Sequence, residues 1–215
     1  MKLKNGDFIE IDYTAVDKET GKIFDLTSEE EAKKHNIYNS KVKYKSIIIC
    51  LGEKQIIEGL DNELIGKEVN KDYTIDVAPI NGFGKKDPRF LKLVPLKLFK
   101  QQKIHPFPGL QVDMDKATGT IRSVSGGRII VDFNHPLAGH NLKYNVSIRK
   151  IITDDKLKAE SILEKIIPSP KLELENDKLK ISSNIPEMLQ KVLEKTILKT
   201  IPTIKEVKFE TPSKQ

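Results

Sequence analysis

Tryptophan is absent from this 215-residue chain, cysteine occurs once, and only four of the 37 basic residues are arginine. Each shortage excludes something. A lone thiol cannot close an intrachain disulfide, which points to a reducing compartment. Cys50 lies within the apolar run Ile47-Ile48-Ile49-Cys50-Leu51 and reads as a small core residue. Scarce arginine weighs against nucleic-acid recognition through bidentate contacts. No window approaches about 18 apolar residues, and the N-terminus has no apolar h-region, so the expectation is a cytoplasmic chain without a membrane span. Gly82 and Gly84 lack the lysine and strand–loop–helix context of a phosphate loop. The four histidines are scattered, with His135 and His140 on one loop and His35 and His105 alone, so neither a metal site nor a cofactor is expected.

Against these gaps stand 27 isoleucines in a chain that is 38% hydrophobic, a bias toward β-branched, strand-rich packing. The length suits two or three small domains. The formal charge is +6, but lysine alternates with acid along much of the chain, as in 156–165, which reads as a solvated surface.

Phe8 to Val16 alternates apolar and polar residues, as a half-buried strand does. Thr27-Ser-Glu-Glu30 resembles a capping box opening a short helix, and Val42 to Leu51 reads as a strand. Glu58 to Ile65 reads as a two-turn helix stopped by Gly66, and Asp72 to Val77 alternates again. The pattern predicts an antiparallel α+β domain. From about 86 to 134 the character shifts: apolar residues and prolines crowd 90–110, and short strand signals at 118–124 and 127–133 flank Gly126-Gly127. A β-rich insertion is expected there. Beyond 153 the sequence predicts a helix over Leu157–Ile167, a hairpin around Asn176-Asp177, a helix beginning at Asn184 and a final strand at Val207 and Phe209. The apolar stripe of the helix over 184–200 fits either packing within its own unit or a homodimer contact.

The segment Leu51-Gly52 to Gly66, with the aliphatic pair Ile56-Ile57 and then Gly59, resembles the signature of FKBP-type peptidyl-prolyl isomerases. Tyr13, Ile23-Phe24-Asp25 and Pro79 to Gly84 agree with it in order and spacing, and Asn134 to Val146 resembles the closing strand of the SlyD-like subgroup. The whole resembles the long archaeal members. The resemblance implies an FKBP-like antiparallel sheet wrapping a short helix over 1–86 and 134–153. It further implies an insert-in-flap chaperone domain at 87–133, and the architecture adds a small C-terminal α/β domain at 154–215.

By the same resemblance Phe24, Ile56, Ile57, Leu60, Phe83 and Tyr144 line a proline pocket, with the Ile57 N–H holding the substrate carbonyl. Tyr13 and Asp25 form its polar edge, and Leu137 and Ala138 overhang it. Leu60 stands where a tryptophan is frequent and Phe83 where a tyrosine is usual, so one hydroxyl contact to substrate is missing. The implied partners are proline-containing unfolded polypeptides. An X–Pro bond faces a barrier of about 18–20 kcal/mol. An apolar pocket that favours the twisted, less polar amide lowers it without any nucleophile. Phe90, Leu91, Leu93, Val94, Leu96, Leu98 and Phe99 read in part as core, but exceed what so small an insert can bury, and with the family resemblance the excess implies a surface that binds unfolded chain. The competing expectations are a non-catalytic holdase and a ribosome- or RNA-associated factor using lysine.

Overall fold

A computed structural model describes residues 1–114 and 117–210. They form two compact units, one comprising Met1–Val77 with the chain from Leu142 onward, the other Ala78–Asn141.

In the first unit β1 (Phe8–Asp17) is the organising strand. Along one edge it pairs antiparallel with β9 (Leu142–Ile151), from Ile9 opposite Ile151 to Asp17 opposite Leu142. On β9's far side lies β4 (Lys71–Val77). The other edge of β1 is shared: β2 (Ile23–Leu26) takes its C-terminal half and β3 (Ile47–Cys50) its N-terminal half. Period-two alternation puts Ile9, Ile11 and Ala15 in the core beside Tyr144, Val146 and Ile148. Helix α2 (Glu58–Leu64) contributes the buried Leu60 and Leu64 and is closed by Gly66 at φ +84, as its sequence predicts. This antiparallel sheet with one short helix is the expected fold.

Two local expectations fail for identifiable reasons. Helix α1 (Glu29–Lys34) is capped by Ser28, whose Oγ accepts from the Glu31 N–H at 3.3 Å, because the Thr27 hydroxyl is committed to β1. Strand β3 begins at Ile47, not Val42. The residues before it curl into a turn in which the Asn39 N–H donates to the Tyr44 hydroxyl at 3.0 Å and Tyr38 stacks on Tyr44.

The C-terminal part of this unit holds α4 (Asp155–Leu163), the hairpin β10 (Lys171–Glu175) and β11 (Lys178–Ser182), α5 (Glu187–Thr200) and β12 (Glu206–Glu210). Helix α4 starts two residues before Leu157, on the Asp154 cap, and ends four short of Ile167. Helix α5 begins after Pro186 rather than at Asn184, since a residue preceding proline disfavours the helical region. Strand β12 joins β11 in parallel. Ile162, Leu163, Leu179, Ile181, Leu193 and Ile197 share one core with Ile152, Phe8 and Cys50. The outer face of β1 and β3 therefore completes the C-terminal core, each large side chain contributing about 1.5–3 kcal/mol.

The second unit is a four-stranded antiparallel sheet in the order β5 (Leu91–Pro95), β8 (Arg128–Asp132), β7 (Ala117–Ser125), β6 (Gln111–Met114). Gly126 and Gly127, both at positive φ, form the two-residue turn between β7 and β8. The insert is β-rich as expected, with one six-residue helix, α3 (Leu96–Gln101), between β5 and β6. Val94, Phe99, Val112, Ile121, Ile129 and Val131 form its core. Phe90, Leu93, Leu98 and Phe107 are left about half exposed (51%, 59%, 46% and 57%). At the base of the insert Asn134 ties the two crossing chains together: its Oδ1 accepts from the Asp87 N–H at 2.8 Å and its Nδ2 donates to the Asp87 carbonyl at 3.1 Å.

Candidate active site

Tyr13, on the inner face of β1, is positioned by β2 and its flank. The Tyr13 N–H donates to the Thr27 hydroxyl at 2.9 Å, and the Thr27 N–H returns a bond to the Tyr13 carbonyl at 3.0 Å. This clasp holds β2 in register, so that Asp25 lies opposite Ala15 and its carboxylate accepts from the Tyr13 hydroxyl at 2.6 Å. Tyr144, reached through β9, brings its ring to 5.9 Å from Tyr13 and edge-on to Phe24 at 6.0 Å. Four of the residues chosen from sequence are thus joined by direct contact.

The electrostatics keep both phenols protonated. Burial, and then the Asp25 carboxylate, push the Tyr13 hydroxyl far above its ordinary value. Burial and Asp25 likewise push Tyr144 up to about 12. The Tyr13 proton is engaged by Asp25, so the pair offers a fixed dipole on an aromatic wall rather than a mobile proton.

Ile56 and Ile57 are half-buried in the segment entering α2, and Leu60 is buried at 1% exposure on its first turn. The Ile57 carbonyl accepts from the Leu60 and Asp61 N–H groups, whereas its own N–H has no protein acceptor among the described residues. The segment is held by a residue that sequence reading passed over. Asp61, 3% exposed, accepts the Gly52 N–H at 3.1 Å and the Lys54 N–H at 3.4 Å. Its signal was an acid on the otherwise apolar side of α2. Gly52 is required there, at φ +84 with Asn5 occupying the space a Cβ would take.

In the second unit Phe83 stacks on His135, rings 4.3 Å apart and 3° from parallel. The sequence places His135 on a loop with His140 and gives it no role; the structure makes it the platform of Phe83, with its Nδ1 also accepting from the Leu137 N–H at 3.2 Å. Ala138 is buried and Leu137 half-buried, on a turn fixed by the Gly139 N–H donating to the Gly84 carbonyl.

A concavity of ≈ 670 Å³ adjoins this cluster at Tyr13 but is otherwise lined by other residues. Asp12, Thr14, Asp72, Thr74, Ser147 and Arg149 line it, on the polar positions of β1, β4 and β9. Burial opposes the Asp12 charge, but hydrogen bonds from Arg149, Ser46 and Thr27 outweigh it and hold the carboxyl below its ordinary range. That aspartate is a satisfied structural anchor. Among the described residues no helix is long and apolar enough to cross a membrane.

Comparison with known proteins gives the cluster its context. Residues 1–97 match the family described as FKBP-type peptidyl-prolyl cis-trans isomerase, and residues 92–137 match FKBP26, IF domain. A short-type peptidyl-prolyl cis-trans isomerase of Methanocaldococcus jannaschii is 31% identical over 149 residues, covering 69% of this chain and 94% of that protein. The SlyD isomerase of Treponema pallidum is 29% identical over 165 residues, covering 74% and 85%. An FKBP-type 16 kDa isomerase of Escherichia coli is 28% identical over 111 residues, covering 50% and 74%. With the β1–β2–β9 aromatic cluster, the α2 segment and an inserted sheet all present, the chain belongs to the FKBP-type peptidyl-prolyl cis-trans isomerase family, in its form with an insert-in-flap domain.

Proposed function

We propose that Tyr13, Phe24, Asp25, Ile56, Ile57, Leu60 and Tyr144 form the site at which this enzyme rotates X–Pro bonds. The observation that carries the reading is the aromatic wall of Phe24 and Tyr144 beside a Tyr13 hydroxyl committed to Asp25 at 2.6 Å. An apolar enclosure raises the energy of the polar, planar amide relative to its twisted transition state, in which resonance and charge separation are lost. Lowering the barrier by about 4 kcal/mol corresponds to roughly a thousandfold. The Ile57 N–H, without a protein acceptor among the described residues and on the segment held by Asp61, suits a donor for the substrate carbonyl preceding proline. Substrate contact by Phe83, Leu137 and Ala138 is proposed from their positions in the family motif alone.

The insert, 87–133, is proposed to hold unfolded chain, supported by the exposed Phe90, Leu93, Leu98 and Phe107. Tethering a client raises the local concentration of its prolines at the site. The relatives' names speak for catalysis over a non-catalytic holdase. The chain is proposed to work in the cytoplasm. For α5, buried Leu193 and Ile197 support packing within its unit, while Met188 and Val192, 78% and 53% exposed, support a homodimer contact; light scattering reads the mass directly.

Replacing 87–133 with a short turn tests the division of labour. Proline-limited refolding of a protein client should slow sharply while isomerisation of a short peptide is retained. Parallel loss of both activities would defeat the proposal.

A further inference from the structure

The formal charge of the chain is concentrated in one place. Residues 78–141 carry ten Lys and Arg against four Asp and no Glu, a surplus of six that equals the whole chain's +6, so the remaining sequence balances at 27 against 27. The balanced part neutralises its lysines locally, as in Lys45–Glu164, Lys150–Glu10 and Lys199–Glu53. In the insert Arg89 and Arg122 have acidic partners, but Lys97, Lys100 and Lys103 have no carboxylate within ion-pair distance among the described residues.

Two of these unpaired lysines flank a groove. Between α3 and β7, Leu96, Ile104, Pro106 and Val124 line an open cleft of ≈ 640 Å³, with Lys100, Lys103 and His105 as its only polar lining. That volume falls within the range of specific binding clefts, about 300–1,000 Å³. An aliphatic floor under a rim of two lysines and an imidazole, with no carboxylate in the lining, fits a ligand that is apolar in the middle and anionic at its flanks. Single-stranded nucleic acid meets the charge but not the floor, since its bases stack on aromatic rings and the cleft holds no Phe, Tyr or Trp.

We propose that this groove binds extended client segments in which an apolar stretch is flanked by aspartate or glutamate, so that the insert selects acidic over basic unfolded chains. The inference rests on the reading of the insert as the client-holding element. Apolar contact supplies affinity, and the lysine rim supplies selectivity and rapid encounter.

The test measures binding of the full chain, by fluorescence anisotropy, to one extended apolar peptide in two versions, flanked by Asp and Glu or by Lys and Arg, with oligo(U) as a third ligand. The acidic version should bind about tenfold more tightly at low salt, a difference expected of two exposed charge pairs and eroded at high salt. The double substitution Lys100→Glu with Lys103→Glu should erase or invert the preference, its circular dichroism showing the fold intact. Equal binding of the two peptides, a preference untouched by that substitution, or oligo(U) displacing the acidic peptide would overturn the groove's selectivity and leave the holding role standing. Failure of both peptides to bind would instead overturn the holding role, and this inference with it.

Discussion

Replacing Tyr13 by phenylalanine removes one oxygen and leaves the ring that meets Tyr144 at 5.9 Å. The lost interaction is the hydrogen bond to Asp25, 2.6 Å long. Such a bond to a charged acceptor contributes about 1.5–3 kcal/mol. Asp25 is exposed, so water takes the vacated place and the stability loss should fall below that range, near 1 kcal/mol. In a domain of this size that lowers the melting temperature by about 2–4 °C. The effect on kcat/KM is bounded by the same bond. If Tyr13 only completes the polar edge, losing about 1.4 kcal/mol of transition-state binding slows turnover roughly tenfold. A proton-transfer role would predict a loss of about 10²–10⁴. The assay is protease-coupled isomerisation of a short proline peptide, alongside thermal unfolding. A hundredfold loss of kcat/KM at unchanged stability would refute the assignment of Tyr13 as a non-reacting wall.

Other expectations follow from packing and burial. A Cβ on Gly119 would lie 2.6 Å from Val131 Cγ1 and 2.8 Å from a Phe133 ring carbon. Gly119→Ala should therefore cost the insert about 1–3 kcal/mol. Hydrogen exchange should quicken across the β5–β8 sheet while the amides of β1 and β9 stay protected; uniform quickening would contradict it. The Cys50 thiol, 1% exposed, is pushed up to about 11 by burial first and then by Glu53 and Asp61. At pH 8 its reaction with a disulfide reagent should be at least about a hundredfold slower in the native chain than in guanidinium. Comparable rates would show that the core shared by the sheet and the C-terminal helices is open.

Much of the fold was legible because the sheet strands obey period two and Gly66 stops α2 where the pattern predicts. What escaped depends on contacts remote in sequence. The Thr27 hydroxyl bonds across to β1, so the neighbouring Ser28 caps α1. The C-terminal segment reads as a separate domain because its stripes are complete, yet Phe8 and Cys50, far away in the chain, close its core. In the proposed site, Tyr13, Phe24, Asp25 and Tyr144 were recoverable through the family resemblance, and the structure joins them directly. Asp61 and His135 were not, since one works through backbone N–H groups and the other by stacking on Phe83. The charge of the insert was visible in the sequence, but lysine and acid balance along the rest of the chain, and reading the whole together hid the local surplus.

The central claim is that the site accelerates bond rotation by enclosure rather than by moving a proton, and the pH dependence of kcat/KM for a short proline peptide tests it most directly. Both phenols have values raised well above neutrality, by burial first, so neither changes charge between pH 6 and 9. The account predicts a flat profile across that window, unchanged in slope by Tyr13→Phe. A bell-shaped or sloping profile that flattens in Tyr13→Phe would contradict it.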